Sequence, residues 1–332
     1  MDIFYHNDQI KYAPEKEFTG TILKPSVENP TRIKLIKQTL ANSSIDYVVK
    51  EPNLIEISDI QKVHDVDYID FLASIPPDCN EIAPHAFAYP QARTIRHTSF
   101  KGKLGYYLFD PSTPLTPDTF SSARASAASA IACVESLTHQ DIAVSLCRPP
   151  GHHAMKKVGG GYCFFNNVAI AAQRLLERGK SVSILDVDYH HGNGTQELFY
   201  TNSQVQYLSI HADPREAYPY YWGSKEEIGE GEGKGFNYNY PLPKNASEDQ
   251  YTEVLTRAIQ EIRDYVPNYV FISLGLDIFK NDPVGGMNIS LDYFSTIGEK
   301  ISGFEKLGIF LEGGYSREIG KCFVKVLENV RR

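Results

Sequence analysis

From residue 119 onward the chain alternates between two hydrophobic patterns. Short segments that are apolar throughout are followed by longer segments in which apolar residues recur at helical spacing. The first pattern is typical of strands buried on both faces, and the second of helices that cover a sheet. Together they predict strands over 142–147, 181–187, 205–210, 268–275 and 307–311, and helices over 119–137, 167–178, 249–265, 291–303 and 317–330.

The chain before residue 119 is less regular. Residues 31–41 have apolar positions at helical spacing, and residues 59–74 predict a helical region interrupted by a His-Asp pair. Residues 75–118 are rich in proline, histidine and aromatic residues and show little periodicity. Long irregular segments of this kind often have a function. A second loop, rich in glycine and tyrosine, is predicted over 212–243.

Strands that alternate with helices predict an α/β fold in which helices cover both faces of a parallel sheet. No internal repeat or composition break divides the chain, so we expect a single domain over residues 1–332. Open parallel sheets bind ligands at the carboxyl ends of their strands. Polar clusters follow the predicted strands, and we expect them to form one site, at 148–153, 186–193, 209–213, 277–283 and 312–315.

Composition narrows the class of protein. The net charge of −8 disfavours nucleic acid as a partner, because phosphate recognition relies on clustered Lys and Arg, and it weakly favours a cationic substrate. The five cysteines include no C-x-x-C pair, which favours a reducing compartment and argues against a cysteine zinc site. The first residues lack a signal-peptide pattern, and no segment reaches the roughly 18 apolar residues of a membrane span. We therefore expect a cytoplasmic protein that does not contact a membrane.

One segment has the residue types of a metal site. Asp186, Asp188 and His190 alternate along an extended segment, which places their side chains on a common side. Carboxylates and an imidazole suit zinc if a further ligand comes from elsewhere, and Asp277 at the end of a predicted strand is the best candidate. Taken alone, D-x-D-x-H also fits a polar loop with helix-capping carboxylates. Asp277 and the other clusters favour the metal interpretation.

Two further clusters contain groups suited to catalysis. His152 and His153 follow a predicted strand, and histidine is the side chain best suited to acid–base chemistry near neutral pH. Tyr315 follows two glycines, which allow close backbone approach, and its phenol could donate a hydrogen bond to a developing oxyanion. Each cluster alone has an ordinary explanation, a surface loop for the histidines and a glycine turn for the tyrosine segment.

A series of segments matches one family in order and spacing. The segments are HDVDYIDFL at 64–72, RPPGHHA at 148–154, GGGYCFFNNVAIAA at 159–172, ILDVDYHHGNGTQ at 184–196, LSIHADP at 208–214, GEGEGKGFNYNYPLP at 229–243, SLGLDIFKNDP at 273–283 and LEGGY at 311–315. With them the chain resembles the histone deacetylase superfamily, and within it the bacterial acetylpolyamine amidohydrolases, from about residue 1 to 330. The resemblance implies the arginase–deacetylase fold, a single α/β domain with helices on both faces of a mostly parallel sheet.

The resemblance also implies residue roles. The ligands of one catalytic zinc ion, which Fe²⁺ could replace in the cell, would be Asp188, His190 and Asp277. The catalytic residues would be His152, His153 and Tyr315. Asp186 would lie behind His152 and help to bind a structural potassium ion, together with the side chain of Ser209 and the backbone carbonyls of Asp188, His190 and Ile210.

One position separates branches of the family. Asn193 stands where some deacetylases have an aspartate behind the second histidine. An amide cannot stabilise an imidazolium as a carboxylate would, so His153 should be easier to keep neutral. We therefore hypothesise that His153 is the general base and that His152, backed by Asp186, mainly supplies electrostatic support.

The resemblance is less specific about the substrate. Tyr162 and Tyr218, with Gly161 beside the former, would line a narrow tunnel for an acylated amine, although packing of the large loop would also explain the tyrosines. The excursion at 75–118 resembles a loop that shapes the active-site entrance and helps to form a homodimer. Asp110 would lie at the rim and anchor a cationic amine, or would be an ordinary turn residue.

Several activities remain open at this point. The first is deacetylation of acetylpolyamines or similar small acylamines, and the second is deacetylation of lysine in proteins. An inactive module that binds acyl-lysine is disfavoured by the intact ligands, histidine pair and tyrosine. A dinuclear manganese ureohydrolase on the same fold is disfavoured because such sites need bridging acidic ligands that these motifs lack.

Overall fold

The computed structural model describes residues 1–20, 22–77 and 99–330. In this part of the chain, an eight-stranded sheet in which every strand runs parallel to its neighbours forms the centre, and a small antiparallel hairpin lies apart from it. The strands are β1 Asp2–Phe4, β2 Lys16–Thr19, β3 Ile22–Pro25, β4 Val48–Lys50, β5 Ile142–Ser145, β6 Val182–Asp186, β7 Val205–Ala212, β8 Asn237–Leu242, β9 Tyr269–Leu274 and β10 Leu307–Leu311. The hairpin consists of β2 and β3.

Helices cover both faces of the sheet. Along β10, Leu307, Ile309 and Leu311 pack on one face while Phe310 packs on the other, as the alternation of a strand requires. Helices α1, α8, α9 and α10 cover the first face, and α3, α5 and α6 cover the second. The helices are α1 Thr31–Leu40, α2 Ile57–Gln61, α3 Val66–Ala73, α4 Phe100–Tyr107, α5 Thr119–Ser136, α6 Asn167–Leu176, α7 Asn193–Phe199, α8 Glu248–Tyr265, α9 Tyr293–Lys300 and α10 Ile319–Asn329.

The strand order is β4-β1-β5-β10-β9-β6-β7-β8. Strands β6, β7 and β10 are buried at every residue, which explains why their sequences are mainly apolar. The predicted α/β class and single parallel sheet are confirmed. None of the helices in the described residues is long and apolar enough to cross a membrane.

The strands and helices predicted from residue 119 onward are present, with bounds shifted by a few residues. The loop predicted over 212–243 is wrong at its end, because residues 237–242 form the edge strand β8. Strands β1 and β4 were not predicted, since three residues are too few to show a period. Each of these strands is defined by its neighbour in the sheet, which a local pattern does not contain.

Residues 99–118 of the excursion at 75–118 pack against α3. They include α4, whose Phe100 and Tyr107 both stack on Phe71 of α3, at ring distances of 5.3 and 4.8 Å. This aromatic contact explains a helix that periodicity did not predict. Residues 78–98 lie outside the described residues, so the predicted roles of the excursion at the entrance and in a dimer stay predictions.

Candidate active site

Three candidate metal ligands meet at the carboxyl edge of the sheet. Asp188 and His190 follow β6, and Asp277 follows the adjacent strand β9. One ligand atom from each lies within 4.8 Å of the other two. His190 Nδ1 is 3.2 Å from Asp188 Oδ1 and 3.1 Å from Asp277 Oδ2, and all three side chains are buried. This group could bind one metal ion.

Backbone amides orient the two carboxylates. Gly313, after β10, donates its N–H to Asp188 Oδ2 at 2.8 Å, and Tyr189 donates its N–H to Asp277 Oδ1 at 2.9 Å. A Cβ atom at Gly313 would come within 2.6 Å of carboxylate oxygens of both aspartates, so only glycine fits there. The site thus combines two oriented carboxylates with one imidazole, a donor set that fits a catalytic divalent metal.

The two histidines of the pair have different partners. His152 Nδ1 lies 3.0 Å from Asp186 Oδ2, whereas His153 Nδ1 lies 2.7 Å from Asn193 Oδ1. Both rings are buried, and their centroids are 4.0 Å apart. One histidine is therefore backed by a carboxylate and the other by a neutral amide.

These partners separate the protonation of the two rings. Burial lowers the pKa of His152, but the carboxylates of Asp188 and Asp186 outweigh it and raise that pKa to about 10. Burial, together with the neighbouring His152 and His190, lowers the pKa of His153 well below its ordinary value. The geometry favours a charged His152 beside a neutral His153.

Glu312 connects the end of β10 to the histidine loop, the segment after β5 that carries His152 and His153. Its Oε2 accepts the N–H of Gly151 at 2.7 Å and that of His152 at 3.1 Å, and the side chain is fully buried. In the sequence, Glu312 is distinguished only as part of a glycine-rich segment. Nothing in a single glutamate reveals that it is buried beneath a loop more than 150 residues away.

Tyr315 is held from two sides by residues that the sequence analysis did not single out. Asp282 Oδ2 accepts the Tyr315 N–H at 2.6 Å. The guanidinium of Arg32 lies 4.6 Å from the Tyr315 ring centroid and donates to the carbonyl of Gly314 at 2.7 Å. Burial raises the pKa of Tyr315 well above its ordinary value, although Arg32 opposes the shift, so the phenol stays protonated and able to donate.

The candidate catalytic groups open into one cavity of about 780 Å³. Both histidines, two of the candidate ligands and the phenol contribute to its wall, and aromatic residues form a large share of the remainder. A concave, largely apolar site with a few convergent polar groups is the usual form of a small-molecule site. The lining residues include His152, His153, Asp188, His190, Tyr315, Tyr162, Tyr218, Phe109, Tyr220, Tyr221 and Trp222.

The two candidate tunnel tyrosines lie against catalytic candidates. The ring of Tyr218 packs edge-to-face on His153 at 5.0 Å, and that of Tyr162 packs on Tyr315 at 5.5 Å. Gly161 touches the same site, because a Cβ atom there would lie 2.3 Å from His153 Cδ2. Both tyrosines therefore form cavity wall beside the reacting groups.

Asp110 is part of the cavity wall and also of a turn. Its Oδ2 accepts the Gly161 N–H at 2.6 Å and the Tyr218 hydroxyl at 3.0 Å. Its Oδ1 accepts the N–H of Ser112 at 2.8 Å and the Thr113 hydroxyl at 3.1 Å. The side chain is 9% exposed, so its negative charge lies within the wall instead of projecting from the rim.

The residues assigned to a potassium site lie side by side in the sheet. Asp186 on β6 is paired in register with Ser209 on β7. Ser209 Oγ is 2.8 Å from His211 Nδ1, and Asp186 Oδ2 also accepts the Tyr207 hydroxyl at 3.0 Å. Ile210 is buried beside them. Potassium binding here stays a prediction.

Comparisons with known proteins point to one family. The model of the histone deacetylase domain matches residues 26–330. Acetylpolyamine amidohydrolase 2 of Pseudomonas aeruginosa is 37% identical over 341 residues, covering 99% of this chain and 98% of that protein. Acetylpolyamine amidohydrolase of Mycoplana ramosa is 36% identical, covering 99% of each chain.

A solved structure agrees with these relatives. The crystal structure of acetylpolyamine aminohydrolase from Burkholderia pseudomallei has a TM-score of 0.92 and 33% sequence identity, covering 99% of this chain and 98% of that chain. The resemblance and the arginase–deacetylase type of fold expected from the sequence are thereby confirmed. This chain belongs to the histone deacetylase family and is a hydrolase of amide bonds.

Proposed function

We propose that this protein is a zinc-dependent deacetylase of small N-acetylated amines, with acetylpolyamines as the substrate class and acetate as a product. The observation that carries the proposal is the convergence of a candidate metal group, a histidine pair and a phenol on one cavity. The names of the relatives from Pseudomonas aeruginosa and Mycoplana ramosa support the acetylpolyamine class. Fe²⁺ would suit the same carboxylate and imidazole donors.

Asp188, His190 and Asp277 would hold the metal. When bound, a zinc ion supplies Lewis acidity that polarises the amide carbonyl and lowers the pKa of water. Three ligands from the described residues would leave room for substrate and water at the metal, which is typical of catalytic zinc sites.

The histidines would move the protons. His153 Nδ1 donates to Asn193 Oδ1, so the lone pair at Nε2 is available to take a proton from the attacking water. His152 donates from Nδ1 to Asp186, and as a cation it stabilises negative charge that develops on the substrate. The proton taken up by the pair then passes to the departing amine nitrogen.

Tyr315→Phe is expected to lower kcat by on the order of 10²-fold or more, because it removes the hydroxyl that donates to the substrate oxyanion. Metal content should be unchanged, since the phenol is not among the ligand atoms. Acetate release and metal analysis of the purified variant provide the measurement. Tyr47→Phe, at a partly buried position just before β4 and outside the cavity lining, is the matched control and should keep wild-type turnover. Normal turnover by Tyr315→Phe would contradict the role of the phenol.

The preference for small amines is tested by comparing substrates. We expect a higher kcat/KM for N-acetylputrescine or acetylspermidine than for an acetyl-lysine peptide, because aromatic walls and buried carboxylates suit a slender cationic chain. A preference for the peptide of about ten-fold or more, roughly 1.4 kcal/mol of transition-state discrimination, would favour a protein lysine deacetylase instead. Tyr315→Phe should lower both activities if both use this site.

Two further parts of the proposal come from the family resemblance. We propose that the active form is a homodimer in which the excursion at 75–118 narrows the entrance, and that a structural potassium ion lies beside Asp186 and Ser209. The close register of β6 and β7 supports the second part, because it brings a carboxylate, a hydroxyl and several backbone carbonyls together.

A further inference from the structure

Glu17 is a buried carboxylate in the cavity wall that the sequence analysis did not single out. It lies on the β2–β3 hairpin and is 3% exposed. Its Oε1 accepts the hydroxyl of Tyr162 at 2.8 Å. Its Oε2 accepts the Ser26 hydroxyl at 2.9 Å and the Val27 N–H at 3.2 Å. The hairpin therefore forms part of the active-site wall, and within it Glu17 is held in a well-defined position against Tyr162.

The residue that Glu17 contacts has a disfavoured backbone conformation. Tyr162 has a φ of 66°, in the left-handed region where an aromatic side chain is unfavourable. Neighbouring groups hold the backbone there: Thr113 Oγ1 accepts the Tyr162 N–H at 2.9 Å, and Asp110 accepts that of Gly161. Glu17 holds the other end of the same residue. Conformations that several contacts enforce in this way cluster at functional sites.

The ring held in this way forms one side of the packing around Tyr315. The Tyr162 ring meets the Tyr315 ring edge-to-face, with centroids 5.5 Å apart, and the guanidinium of Arg32 contacts the Tyr315 ring as well. Loss of the Glu17 contact would leave the Tyr162 hydroxyl buried without its acceptor and the ring free to change rotamer. The Tyr315 ring would then no longer be held in place by its contact with the Tyr162 ring.

We propose that Glu17 is a positioning residue, whose carboxylate holds the Tyr162 ring against Tyr315 and so keeps the Tyr315 hydroxyl aligned with the reacting carbonyl. The inference rests on the proposed function, because alignment of Tyr315 matters only if an oxyanion forms. Displacing a catalytic group by about 1 Å can lower the rate on the order of 10²-fold. A small shift of the Tyr162 ring should therefore produce a measurable change in kcat.

The opposite wall is built in the same manner. The Tyr218 ring packs on His153, and its hydroxyl donates to the buried carboxylate of Asp110. Each tunnel tyrosine thus has its ring against a proposed catalytic side chain and its hydroxyl on a carboxylate in the wall. The repetition of this arrangement favours a positioning role for Glu17 over incidental packing.

The test is a double-mutant cycle with wild type, Glu17→Ala, Tyr162→Phe and the double variant. We expect each single variant to lower kcat for N-acetylputrescine by about ten-fold, with metal content unchanged and a smaller change in KM. The double variant should be no slower than either single variant, because both changes remove the same hydrogen bond. Ile22→Ala, at an exposed position of the same hairpin, is the control and should keep wild-type kcat.

Losses that multiply in the double variant would overturn the proposal, as would unchanged kcat in Tyr162→Phe. The latter variant leaves the carboxylate in place, so it also decides the matter if Glu17→Ala does not fold. Glu17→Gln keeps an oxygen for the Tyr162 hydroxyl and should restore most of the kcat lost in Glu17→Ala. A glutamine variant as slow as the alanine variant would count against the hydrogen bond.

The two levels of the proposal fail in different ways. Wild-type protein that carries metal yet hydrolyses no acetylated amine would contradict the proposed function before any variant is made. Active wild-type protein with multiplicative losses in the cycle would contradict only the role of Glu17.

Discussion

His153→Ala is expected to lower kcat by about 10²- to 10⁴-fold, the range typical for loss of a general acid–base group. The reason is geometric: His153 is backed by the neutral amide of Asn193, which leaves the imidazole uncharged and able to accept a proton at Nε2. Metal content should be close to that of wild type, since His153 contributes no ligand atom to the candidate metal group. Steady-state acetate release and metal analysis provide the measurement.

His152→Ala is the informative comparison for this assignment. The partner of the His152 ring is the carboxylate of Asp186, so we expect His152 to act mainly as a fixed positive charge. Its loss should therefore lower kcat less than the loss of His153. His139→Ala, at an exposed position far from the cavity, should leave kcat unchanged. The assignment is wrong if His153→Ala keeps near-normal turnover while His152→Ala loses it.

Asp188→Ala and Asp277→Ala are each expected to reduce turnover to the background rate and to abolish stoichiometric metal binding. Either change removes one of the three candidate ligands found among the described residues and leaves one carboxylate and one imidazole, which bind a divalent ion far more weakly. Loss of Asp188 also removes the acceptor of the Gly313 N–H, which connects β10 to the site. Metal analysis after gel filtration, together with kcat, gives both readouts.

The controls for this prediction separate metal loss from general damage. Asp292→Ala replaces an exposed aspartate at the start of α9 and should keep both metal and turnover. Wild-type protein treated with a chelator should lose activity and regain it when Zn²⁺ is added back. Full metal content in either ligand variant, or undiminished turnover after complete chelation, would rule out the proposed ligand set.

The end of β10 organises much of the site that these experiments address. In four consecutive residues, Glu312 holds the histidine loop, Gly313 holds Asp188, Gly314 accepts from Arg32, and Tyr315 supplies the phenol. Because β10 lies between β5 and β9, its end is adjacent to the loops that follow both. This position in the sheet explains why a short glycine-rich segment affects so many catalytic groups.

The α/β class, the main strands and helices, and the candidate ligands could all be predicted from the amino-acid sequence. Fully buried strands and amphipathic helices leave local hydrophobic patterns, and these could be read directly from the chain. Asp188 and His190 could be grouped because they are two residues apart on one extended segment. Asp277 was a sound candidate because parallel strands place the residues that follow them at one edge of the sheet.

The order of the strands in the sheet, and the polar residues that hold the candidate catalytic groups in place, are known only from the tertiary structure. β9 lies beside β6, which brings Asp277 to His190, and no local pattern specifies that order. Glu17 and Arg32 carry no motif, and within the 273–283 segment nothing local marks Asp282 as the acceptor of the Tyr315 N–H. Their roles depend on burial and on contacts with residues far away in the chain, such as Glu17 with Tyr162, 145 positions apart. Such contacts form only when the sheet and its loops have assembled. The sequence around a charged residue does not indicate which distant residue will become its buried partner.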